Sequence, residues 1–170
     1  MIRGFNGKNP KIAPSAFVSE AAYVIGDVEI GDNSNIWPGA VIRGDFGRIT
    51  IGDNTSLEDN CVVHGATDVI IGNNVIIGHG AVVHCHSIGN NVLVGNNATI
   101  LDRARIGNFC IIGAASLVKP DAIIPDKSLA IGSPARIRSQ VSPAQQVEIK
   151  EGSELYSRLA QEYKKQGYCS

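Results

Sequence analysis

A branched apolar residue returns every sixth position along most of this chain. The first run is Ile12, Val18, Val24, Ile30, Ile36 and Ile42. After a short insertion it resumes at Ile51, Leu57 and Val63, and after a second at Ile71, Ile77 and Val83. One deletion then gives Ile88, Val94, Ile100, Ile106, Ile112, Val118 and Ile124. Four places after many of these stands a small or modest residue, as at Ala16, Ala22, Ala40, Cys61, Ala81 and Ala98. A period of six is neither the 3.6 of a helix nor the simple alternation of a half-buried strand. It fits a coil of three short strands, each bending sharply into the next. The large and the small residue of each hexad both point into a narrow prism, where a second large side chain would not fit at native packing density. The "GDN" and "GNN" runs between them supply glycine, asparagine and aspartate, which tolerate the left-handed backbone that such corners need.

At 170 residues the chain has the length of one domain, with a formal net charge of -1. That balance argues against nucleic acid and against a membrane surface as partners. No apolar run follows the basic residues of "MIRGFNGKNPKIAP" and no stretch nears 18 uninterrupted apolar residues, so a cytoplasmic protein is expected. The four cysteines lack CxxC spacing and read as free thiols. After "IGSPARIRSQ", Ser142 and Pro143 have the character of an N-cap and a first helical residue. Leu155, Leu159 and Tyr163 recur every four residues, which predicts a helix packing that face along the coil, with a restart at Gly152 and Ser153. The expected division is a coil domain over 1-140 and a helical tail over 141-170.

All four histidines (His64, His79, His84 and His86) fall between positions 62 and 86. Residues three hexads apart lie on the same face of successive coils, about 4.8 Å apart. Val63 and Val83 stand in that relation, so His64 and His84 stack, with Arg43 beneath them in the same column. His79 belongs to the preceding hexad, in the column of Asp59, on a different face. One chain therefore does not bring the three imidazoles together, whereas a neighbouring subunit packing its His79 against His64 and His84 would. Three-fold symmetry makes three such sites in a closed assembly. Three histidines with an open fourth position is the pattern of a catalytic rather than a structural zinc site.

The hexads resemble the hexapeptide-repeat family, which implies a mainly β fold: a left-handed parallel β-helix, commonly trimeric. The resemblance narrows to γ-class carbonic anhydrases through "RGD" at Arg43 to Asp45, "DNCVVH" from Asp59 to His64, "IGHGAVVH" from Ile77 to His84, and "GSPAR" from Gly132 to Arg136. It implies a homotrimer that hydrates carbon dioxide reversibly to bicarbonate. His64 and His84 would hold zinc with a neighbour's His79, and Fe(II) or cobalt would suit the same imidazoles. Arg43, Asp45 and Asp59 match residues that form ion pairs near the subunit interface.

The departures from that pattern are specific. Glu58 stands where glutamine is common and would add a proton acceptor beside the metal water; Ser56 replaces a frequent asparagine. Phe46 replaces a glutamate, and the acidic proton-shuttling loop of some members is missing. Cys85 and His86, next to a proposed ligand, are alternative ligands that a complete triad does not need. Two other functions compete: an acyltransferase using one histidine as general base, and a non-catalytic metal-holding or scaffolding trimer.

Overall fold

The protein is described from a computed structural model, which covers residues 1–169; Ser170, the last residue of the expected tail, lies outside the described residues. The chain winds a parallel β-solenoid of about seven turns, closed on one flank by a single C-terminal helix. Its first face stacks Val24, Ile42, Val63, Val83, Ile100 and Val118 in register. The second stacks Ile12, Ile30, Ile51, Ile71, Ile88, Ile106 and Ile124. The third stacks Val18, Ile36, Leu57, Ile77, Val94, Ile112 and Ala130. All but Ala130 are hexad positions read from the sequence, and with Ile12 partly buried at one end they form one continuous core with the small residues between them.

The corners show why the polar runs are needed. Asn33, Asn54, Asn74 and Asn91 take positive φ at successive turns between the second and third faces. One residue earlier, side chains form a ladder up the solenoid. Asp53 accepts from the Asp32 amide at 2.7 Å, Asn73 from Asp53 at 2.8 Å, Asn90 from Asn73 at 2.8 Å, and Asn108 from Asn90 at 2.9 Å. Each corner amide that no strand neighbour can reach is thereby satisfied.

Helix α1 (Pro143–Lys165) begins with Ser142 as N-cap and a complete capping box to Gln145. It runs unbroken through Gly152 and Ser153, so the expected restart does not occur: the missing side chain at Gly152 lies against the Ile76 methyl, and the glycine serves close packing. The expected packing face is also corrected. Ile149, Ser153, Ser157 and Ala160 are buried against the third face, whereas Leu155 and Leu159 point into solvent. Small residues win that face because the helix lies over bulky Phe17 and Trp37, whose rings are 5.2 Å apart. Tyr163 does join it, with its ring 5.1 Å from Trp37. Among the described residues, no helix is long and apolar enough to cross a membrane.

The outward positions of the first face carry Val41, Val62, Val82, Thr99 and Leu117, a half-exposed and largely apolar ladder that α1 does not cover. The packing limit inside the prism gives a direct test. Ala81 is fully buried, and Ala81→Leu is expected to lower stability by roughly 1–3 kcal/mol in urea unfolding through overpacking. Val147→Ala, on the exposed side of α1, should change it by less than about 0.5 kcal/mol.

Candidate metal centre

Two clusters of titratable side chains sit on the two edges of the first face. At the edge toward the second face, Arg43 and His64 are register partners, and His84 follows the next strand up. Long strands Tyr23–Ile30 and Val41–Ile51 run round this corner rather than breaking at it. Their backbones stack so tightly that a Cβ at Gly44 would collide with the Asp27 carbonyl, which explains the glycine between Arg43 and Asp45.

The Asp45 carboxylate lies 2.8 Å from His64 Nε2 and 3.1 Å from the Arg43 guanidinium. Burial works against its charge, but the His64 hydrogen bond and the Arg43 charge outweigh burial and hold its pKa below the usual value. An ionised carboxylate only accepts, so His64 donates from Nε2; Arg43 Nη2 is a longer contact to the same nitrogen, at 3.4 Å. His64 Nδ1 then turns a lone pair toward His84 Nε2, 3.2 Å away. His84 Nδ1 lies 3.1 Å from the Asp102 carboxylate, which places its proton there and leaves Nε2 as a second lone pair. Two lone pairs at this distance repel unless a proton or a cation lies between them. Two nitrogen ligands at about 2.0–2.1 Å from a tetrahedral ion stand roughly 3.3 Å apart. The donor set therefore fits a divalent metal, with carboxylates behind both imidazoles as metal-binding histidines usually have.

At the opposite edge of the same face, His79 Nε2 lies 3.0 Å from Glu58 and His79 Nδ1 3.0 Å from Asp59. Glu58 also accepts from the His79 backbone amide at 3.0 Å and is buried, against the ordinary reading of an exposed acid. The Tyr156 hydroxyl, reaching over from α1, hydrogen-bonds the Glu58 carboxylate; burial, then this contact, pushes the phenol pKa up. His79 and His84 stand at opposite edges of the first face, with the strand Val82–Val83 between them. Among the described residues, no three His, Cys, Asp or Glu side chains of one chain converge on a metal position.

Other expected residues fall elsewhere. Cys85 points into the core, where burial pushes its thiol up to about 12. Ser56 is buried beneath α1, donating to Asn35 at 2.6 Å and accepting from the Trp37 indole at 3.2 Å. His86 lines a separate cleft with Arg103, Arg105 and Asp121. Asp102 and Tyr156 were not singled out from the sequence. Extending the His64–His84 column one coil further leads to the corner that holds Asp102; nothing in the hexads marks Tyr156.

A parallel solenoid built on a six-residue repeat is the architecture of hexapeptide-repeat proteins. A profile described as bacterial transferase hexapeptide (six repeats) matches residues 9–44 and 86–124. The chain is 37% identical over 162 residues to gamma carbonic anhydrase 2, mitochondrial, of Arabidopsis thaliana, covering 91% of this chain and 58% of that protein. It is 42% identical over 140 residues to carnitine operon protein CaiE of Salmonella agona, covering 81% of this chain and 71% of that one. Among solved structures, a putative acetyltransferase from Bacillus cereus superimposes with a TM-score of 0.94 at 36% identity, covering 97% of each chain. The chain belongs to the hexapeptide-repeat family, as a γ-class carbonic anhydrase-like member.

The burial of the thiols gives a test of the site's composition. At pH 8, iodoacetamide should modify Cys169 readily and leave Cys61, Cys85 and Cys110 unmodified in the folded protein, as read by mass spectrometry. Modification of Cys85 at the rate of Cys169 would reopen its candidacy as a ligand.

Proposed function

We propose that this chain forms a homotrimer that hydrates carbon dioxide to bicarbonate at three metal sites, each shared between two subunits. The observation that carries the reading is the split placement of the histidines. His64 and His84 share one edge of the first face, His79 holds the other, and the half-exposed apolar ladder of Val41, Val62 and Val82 lies between them. Packing first faces around a three-fold axis would cover that ladder and bring each His79 to a neighbour's pair. The similarity to the plant γ carbonic anhydrase over 91% of the chain supports the reaction class.

When bound, a divalent ion such as zinc lowers the pKa of a water ligand to about 7 and so supplies a nucleophile at neutral pH. His64 and His84, with the neighbour's His79, hold it. Asp45 fixes the tautomer and ring plane of His64, Asp102 faces His84, and Asp59 faces His79. The reaction CO2 + H2O → HCO3⁻ + H⁺ releases one proton. Glu58 is the carboxylate placed to take it, held in one orientation by Tyr156 and the His79 amide. With Phe46 in solvent beside His64 instead of an acid, onward transfer depends on buffer.

Light scattering and elemental analysis should give a trimer with one divalent ion per chain. His79→Ala and His84→Ala each lose the metal, and mixing the two variant chains restores it wherever two intact edges meet. No recovery would place the sites within single chains. In stopped-flow hydration, turnover should rise through about pH 7 and depend on added imidazole buffer. Glu58→Gln should keep the metal and lose on the order of 10²-fold in rate, partly restored by buffer. A fully metallated trimer with no hydration at any buffer concentration, active instead with acetyl-coenzyme A, would transfer the assignment to the acyltransferase class.

A further inference from the structure

Large apolar groups stand in solvent beside each half of the split site. At the His64 edge, Phe46 is 77% exposed, its ring 5.5 Å from the imidazole. At the His79 edge, the exposed groups are Leu155 and Leu159 on α1, 59% and 42% exposed. Helical geometry at 3.6 residues per turn puts both leucines on the same flank of α1, within about 100° of Tyr156. That flank faces the corner of Glu58 and His79, because Tyr156 reaches Glu58. The opposite flank, with Glu154, Arg158 and Gln161, lies over Asn33 and Asn54.

We propose that Phe46 of one subunit packs against Leu155 and Leu159 of its neighbour, forming an apolar lid over the shared metal pocket. This rests on the trimeric reading above and adds the contact that closes it. The occupant of each patch is a second copy of this chain, because each patch adjoins one half of the site. A pairing that carries His79 to a neighbour's His64 and His84 brings the Tyr156 flank of α1, which carries Leu155 and Leu159, to the edge that holds Phe46. Neither patch has an apolar partner within its own chain that takes it out of water. The lid also gives an uncharged substrate an apolar wall on the side where an acid would otherwise stand. It makes Phe46 a residue that selects for a small apolar molecule.

Disulfide trapping tests the contact in the full-length, metal-loaded protein, with Cys169→Ser removing the most accessible native thiol. Phe46→Cys is combined with Leu155→Cys in one variant and with Leu159→Cys in another. Mild oxidation of at least one pair should give chains linked between subunits on a non-reducing gel, reversed by reductant, while each single-cysteine variant stays unlinked. As a second measurement, Phe46→Ala should raise the protein concentration at which the trimer dissociates about tenfold. A metallated trimer that links through neither pair and dissociates as the parent does would overturn the lid and leave the shared metal site standing. A protein that is monomeric with its metal bound would overturn both.

Discussion

A triangular prism three short strands across has room for one large and one small side chain in every six residues. That packing limit is what everything else in the molecule depends on. Because Ile42, Val63 and Val83 can only stack over one another, a slip of one residue would turn an entire column to solvent. The outward neighbours Arg43, His64 and His84 are therefore fixed in a vertical line by residues that take no part in chemistry. The insertion at "GATD" adds corner residues without disturbing the column, since Gly65 and Val69 bring the chain back into register for Ile71. A site built on such a column inherits the rigidity of a parallel sheet.

The fold and half of the site were legible for the same reason. Period six marks inward positions unambiguously, and counting hexads across two insertions gave the stacking of His64 on His84 and the separate column of His79. What was not legible came from elements with no repeat. The stripe Leu155, Leu159 and Tyr163 has helical spacing but no signal for which flank the solenoid would receive. The aromatic rings of Phe17 and Trp37 decided that, by admitting Ser153, Ser157 and Ala160 instead. Tyr156 therefore arrives at Glu58 from 98 residues further along the chain, a contact set by helix docking alone. Asp102 lies one coil beyond His84, outside the window that holds the four histidines, so the histidine spacing does not point to it.

The electrostatics of the two edges differ in a way that suits their proposed partnership. At the His64 edge, Asp45 and Asp102 each stand behind an imidazole, and the inner nitrogens are left facing each other. At the His79 edge, both ring nitrogens face carboxylates of the same chain. One edge thus has two lone pairs that need a cation, and the other has an imidazole surrounded by negative charge. The more exposed of these contacts, His79 with Asp59 and His84 with Asp102, contribute little to stability, about 0–1 kcal/mol each. Their arrangement is better understood through the ligand it leaves unsatisfied than through the energy it adds.

Replacing an acid by Phe46 and a neutral amide by Glu58 moves the charge from one side of the site to the other. An acid at position 46 would stand in solvent beside His64. Glu58 is instead buried, reached by Tyr156 and by the His79 amide. A carboxylate in that position is held in one orientation, which favours taking a proton at a defined point. It also lacks the freedom to swing outward and release that proton to water. In the proposed hydration reaction, a carboxylate held in this way would pass the proton on slowly, and turnover would depend on how well small bases reach Glu58. The same solenoid that makes the ligand geometry rigid would then make proton transfer the slow step.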